Sequence, residues 1–74
     1  MKTAFTVVLE KEVEGGYSVF VPALAGCHTQ GETTAEALTN VKEAIEAYLE
    51  SLKLEGEPLP APTEEIVQHV TVTV

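Results

Sequence analysis

The sequence has no aspartate, a single cysteine, and four basic residues against twelve acidic ones. Each shortage removes a class of protein. One cysteine forbids an internal disulfide, and the cysteine and two histidines show no zinc-ligand spacing. A nuclease built on paired metal ions wants carboxylates converging on a strand centre, normally aspartates, and this chain has none. The net charge of −8 repels phosphate backbones, so direct nucleic-acid binding is not expected. No apolar run approaches membrane-spanning length, and residues 1–5 lack a signal-peptide pattern. The expected compartment is the cytoplasm, with which one unpaired thiol agrees. Internal repeats, low-complexity tracts and basic stretches are absent as well.

What the chain does have is a hydrophobic fraction of 45%, enough to fold despite the charge. Its 74 residues suffice for one hydrophobic core, so residues 1–74 are expected to form a single domain with no DNA-binding domain attached. A core of this size is marginal without disulfides, metal or a partner. Self-association is therefore expected to supply the missing stability, as a homo-oligomer, dimer or tetramer.

The apolar pattern predicts the elements. Over residues 3–11, Phe5, Val7 and Leu9 alternate with Thr6, Val8 and Glu10, which reads as a strand with one core face. Glu12-Val13-Glu14-Gly15-Gly16 supplies a turn, its two glycines free to take positive φ. Residues 17–21 form the second strand of a hairpin, ended by Pro22, which cannot donate to a ladder. Between Gly26 and Gly31, residues 27–30 suggest a short edge strand.

Thr33-Thr34-Ala35-Glu36 matches a capping box with Thr33 as N-cap. Behind it Ala37, Leu38, Val41, Ala44, Ile45, Tyr48, Leu49 and Leu52 recur at helical spacing, and Gly56 suits the C′ position. Three prolines stiffen residues 57–62, and Thr63-Glu64-Glu65 could begin one helical turn. Residues 68–74 read as a last strand with Val70, Val72 and Val74 on one face and His69, Thr71 and Thr73 on the other. The expected fold is α+β, a two-layer β-β-β-α-β sandwich. Its sheet order is 3-2-1-4, with the last strand parallel to the first.

One stretch is distinctive. Tyr17-Ser18-Val19-Phe20-Val21-Pro22-Ala23-Leu24-Ala25-Gly26-Cys27-His28-Thr29-Gln30-Gly31-Glu32-Thr33 runs from strand through loop to helix cap, and Glu36-Ala37-Leu38-Thr39-Asn40-Val41-Lys42-Glu43-Ala44-Ile45 follows. It resembles the HicB family of bacterial antitoxins, in which a strand leads into Pro-x-Leu-Pro-Gly-Cys and a Gly-(Asp/Glu)-Thr helix start. The likeness covers about the first two-thirds of the chain, and loop, cap and helix agree in order and spacing. Ala25 departs from it, standing where the family usually has proline.

The resemblance implies a partial ribonuclease-H-like fold without nuclease chemistry. It also implies a role in binding and masking HicA, a small basic toxin that cleaves messenger RNA. Along this stretch Tyr17, Leu24, His28 and Glu32 are the candidate partner-binding residues, and acidity would speed encounter with a cationic partner. Val70, Val72 and Val74 are the candidate oligomer interface, where the last strand could pair with its counterpart in a second subunit.

Catalytic readings fare poorly. Cys27 and His28 are adjacent on an extended segment, so they point to opposite faces and suit mutual activation badly. Glu10, Glu12 and Glu14 would share a face if the strand ran that far, but three like charges at a hairpin end are the ordinary solvated edge. Glu43, Glu46 and Glu50 make a solvated helix stripe. Tyr17 and Tyr48 lack the basic neighbours of a base-stacking site, and Gly15-Gly16 lacks the lysine and helix start of a phosphate loop. No catalytic residue, metal site or cofactor is expected. The contrasting possibility is a solitary homo-oligomeric scaffold or small-ligand-binding protein without a toxin.

Overall fold

The computed structural model describes residues 3–60 and 66–74. Its elements are β1 (Val8–Lys11), β2 (Tyr17–Phe20), β3 (His28–Gly31) and α1 (Thr34–Leu54). The strands form one antiparallel sheet in the order β1-β2-β3, so the 3-2-1 part of the expected order is present. Leu9 pairs with Val19 and Val19 with Thr29, which sets one continuous register across all three strands. With period-2 alternation, Tyr17, Val19, Thr29 and Gly31 then share the face that meets the helix.

β1 is shorter than the alternation over residues 3–11 predicts. Val8 pairs with Phe20, the last residue of β2; the next residue that would face β1 is Pro22, which has no amide to donate, and the chain turns there, Leu24 donating to the Val21 carbonyl at 3.0 Å. Residues 3–7 thus have no strand opposite them on that side. The turn itself forms as its chemistry requires: Gly15 and Gly16 have φ of 107° and 79°, and the Glu12 amide bonds the Gly16 carbonyl at 3.0 Å. Because β1 ends at Lys11, Glu12 and Glu14 lie in the turn and do not continue the face of Glu10.

The helix forms where the periodicity places it. Thr33 is the N-cap, with extended backbone (φ −126°, ψ 164°), and its Oγ1 accepts from the Glu36 amide at 3.1 Å. Among the described residues only this half of the capping box is made. At the other end Gly56 (φ 72°) donates to the Lys53 carbonyl and Glu57 to the Leu52 carbonyl, the paired bonds of a Schellman motif. Asn40 Nδ2 ties the helix to the sheet through the Gln30 carbonyl at 2.8 Å.

The buried core is small: Val19, Val21, Leu24, Cys27, Ala37 and Val41. Each of its Val and Leu side chains contributes roughly 1.5–3 kcal/mol on full burial. Phe5, Val7, Leu9, Tyr17, Ala44, Ile45, Tyr48 and Leu49 pack around it, half-buried. The helix lies chiefly over β3 and β2. Leu38, which the periodicity assigns to the core, is consequently exposed on the flank facing away from β3.

The expected fourth strand is not formed. Residues 66–74 pair with nothing among the described residues, so the order 3-2-1-4 is not completed within the chain. Val70, Val72 and Val74 are 82%, 71% and 116% exposed. Strand propensity is a preference for a pleated, half-buried surface, and it creates no strand where no neighbouring backbone accepts the ladder. The helical turn expected at 63–65 lies outside the described residues.

Gly31 governs how closely sheet and helix approach. A Cβ there would sit 2.5 Å from the Ala37 amide nitrogen and 2.8 Å from its Cα, both backbone atoms that cannot yield without moving the helix. Gly31→Ala should therefore destabilise the fold by about 1–3 kcal/mol. In a domain of this length each kcal/mol lowers Tm by roughly 4–8 °C, a shift readable by circular dichroism.

Candidate functional site

The distinctive loop between β2 and β3 is two consecutive β-turns. Leu24 donates to the Val21 carbonyl and Cys27 to the Leu24 carbonyl, each at 3.0 Å. Pro22 occupies the second position of the first turn, where its fixed φ fits. In the second turn Gly26 has φ 78° and no non-glycine residue has positive φ, which defines type II with Ala25 in the position that favours proline. Leu24 anchors the pair by inserting into the core, 1% exposed. The loop is thus held from beneath, by an apolar peg and four backbone groups.

That anchoring sorts the candidate residues. Leu24 is a core residue, so its side chain offers no surface in this chain. Cys27 is buried beside it while the next residue, His28, is exposed, so the two do not form a nucleophile–base pair. Burial pushes the Cys27 thiol above its ordinary value of 9.0, away from the thiolate that chemistry would need. His28 points away from the helix, in register with Phe20 and Val8 across the sheet. This outer face carries no helix, and Phe20 is 38% exposed on it.

Tyr17 and Glu32 are brought together elsewhere. They line a polar groove of about 500 Å³ between the hairpin turn and the first turn of α1, joined by Glu12, Glu36, Gln30 and Asn40. The groove exists because the turn can come close to the end of β3: a Cβ on Gly16 would stand 3.1 Å from the Gly31 carbonyl oxygen. Three carboxylates on its walls, with no lysine among its lining residues, make it a concave anionic surface. Glu12, Glu36 and Asn40 escape a reading of the sequence because two tight glycine approaches, at Gly16 and Gly31, are needed to assemble them. The capping-box position of Glu36 is the one signal that could have placed it near Glu32.

Among the described residues no group of histidine, cysteine or glutamate side chains could hold a metal ion. No helix among them is long and apolar enough to cross a membrane. The described surface thus offers buried turns, an anionic groove and an open sheet face on a small α+β body. The chain belongs to the HicB-like antitoxin family of bacterial toxin–antitoxin systems, whose family model matches residues 5–72.

Relatives extend across bacteria and archaea. The chain is 57% identical over 56 residues to a UPF0150 protein of Synechocystis sp., covering 76% of this chain and 71% of that protein. It is 54% identical over 66 residues to a UPF0150 protein of Thermoplasma acidophilum, covering 88% and 96%. Among solved structures, a chain of a HicA3 and HicB3 toxin–antitoxin complex superposes with a TM-score of 0.69 and 34% identity, over 82% of this chain and 70% of that one. The three antiparallel strands and single helix described above match that antitoxin structure.

Two outcomes follow from the loop. Ala25→Pro should raise stability by about 0.4–1 kcal/mol in denaturant titration, because it removes unfolded-state freedom at a position whose turn accepts proline and whose amide makes no backbone bond. Cys27 links stability to pH. Its folded pKa is raised, so above the ordinary value of 9.0 the unfolded chain releases its proton first and stability falls as pH rises. Cys27→Ala should flatten that alkaline decline in thermal melts between pH 8 and 10, whatever it does to the melting temperature at neutral pH.

Proposed function

We propose that this chain is the binding module of a toxin–antitoxin pair and sequesters a small, basic HicA-type toxin that cleaves messenger RNA. The observation that carries this reading is the match, at 34% identity, to a chain of a HicA3 and HicB3 toxin–antitoxin complex. Membership of an antitoxin family supports it and favours binding over catalysis.

The anionic groove supports it from physics. A toxin that grips RNA presents cationic side chains, and a concave surface walled by Glu12, Glu32 and Glu36 is complementary to them. Tyr17 adds an aromatic side chain of the kind that anchors interfaces. A net charge of −8 steers such a partner from a distance. Masking of this kind needs no catalytic group, because occupying the toxin's RNA-binding surface suffices to stop it. In this reading Tyr17 and Glu32 face the partner, His28 contributes from the separate outer face, and Leu24 holds the loop in place.

Co-expression of the tagged chain with the small basic protein encoded beside it should yield a stable complex and relieve the growth arrest that protein causes. The triple variant Glu12→Gln, Glu32→Gln, Glu36→Gln should keep its helical circular dichroism and slow association at least tenfold in surface plasmon resonance. Absence of both a captured toxin and relief from arrest would overturn the reading. It would leave the solitary one, a homo-oligomeric scaffold or small-ligand binder.

A further inference from the structure

The helix covers only part of the sheet. It sits over β3 and β2, and on the β1 side its apolar flank faces residues 3–7 across an open groove of about 900 Å³. Phe5, Val7, Leu38, Ile45 and Leu49 line this groove. β1 beside it is an edge strand, so its outer amides and carbonyls have no ladder. Open, largely apolar and next to a free strand edge, this groove has room for a further extended segment.

The chain also carries one strand too many. Residues 66–74 hold alternating valines on one face and, apart from His69, nothing ionisable, yet every one of these residues is exposed. The radius of gyration is 14.2 Å, against roughly 11 Å for a compact chain of this length, and the longest extent is 46 Å. The arm therefore stands off its own body while the groove stays open.

We infer that residues 66–74 of one copy dock in the groove between residues 3–7 and α1 of a second copy, adding a strand beside β1, and that the second copy's arm does the same in return. The exchange makes a two-fold dimer in which each open edge and each valine face is covered once. Charge selects this occupant over a cationic protein. Lys42 and Lys53 line the groove with a single carboxylate, Glu46, so its lining has no net acidity to draw a basic partner, whereas the arm brings an apolar face and no lysine. The anionic groove at the hairpin turn lies on other residues and remains free in the dimer.

The test joins Leu38→Cys and Val72→Cys in one chain and treats it with a short bismaleimide at micromolar concentration. Both sites are exposed in the single chain, and Cys27 is buried, so neither substitution should disturb the core. The expected product is a covalent dimer on a denaturing gel, with each single-cysteine variant remaining monomeric. Light scattering of the unmodified chain should give twice its mass of 7.9 kDa, and Val70→Glu with Val72→Glu should return it to the monomer with unchanged helicity. Cross-linking confined to single chains would place the arm in its own groove and overturn the exchange. A monomeric unmodified chain, or a dimer that survives the glutamates, would overturn it equally.

Discussion

The contact of Gly31 with the first turn of α1 fixes the rest of the molecule. At that point a strand end and a helix start meet backbone to backbone, closer than any side chain would permit. The helix axis is thereby pinned over β3, with Asn40 holding it one turn further along. A single helix cannot cover a whole sheet once it is pinned at one edge. Cover is fullest over β3 and β2 and runs out over β1, and among the described residues the buried core is confined to six around Val19 and Leu24. Both grooves follow from the same contact: the polar one where glycines draw the hairpin turn inward, the apolar one where the helix leaves β1 uncovered.

Much of this is legible in the chain because it is local. The helix, its threonine cap and its glycine stop depend on residues within one turn of each other, and they stand where periodicity and capping chemistry put them. The hairpin turn and the short edge strand are equally local. The failures all involve position between elements. Leu38 has helical spacing and yet faces an empty flank, because spacing tells which side of a helix is apolar and not how far the sheet beneath it extends. Leu24 lies in a segment whose resemblance suggests recognition, and its side chain turns inward to peg two turns. Residues 66–74 have every local property of a strand except a neighbour.

The candidate site shows the same division. Tyr17 and Glu32, expected to face a partner, line one groove, and Glu12, Glu36 and Asn40 join them there only through tertiary contacts. Cys27 and His28 separate to opposite sides of the sheet, as adjacent residues on extended chain must. Family membership adds an independent line to the geometry, since an antitoxin family favours a binding module over a catalyst.

The separation of charges along the chain has a consequence of its own. Three glutamates wall the groove at the hairpin turn, while the groove between residues 3–7 and α1 combines apolar side chains with two lysines and one glutamate. Added salt screens the first kind of contact within a Debye length of about 8 Å at physiological ionic strength, and excluded salts such as sulfate strengthen the second. Ionic strength thus acts in opposite directions on the two surfaces. If both proposed contacts form, a rise in ionic strength would loosen the one at the hairpin turn while leaving the apolar one held.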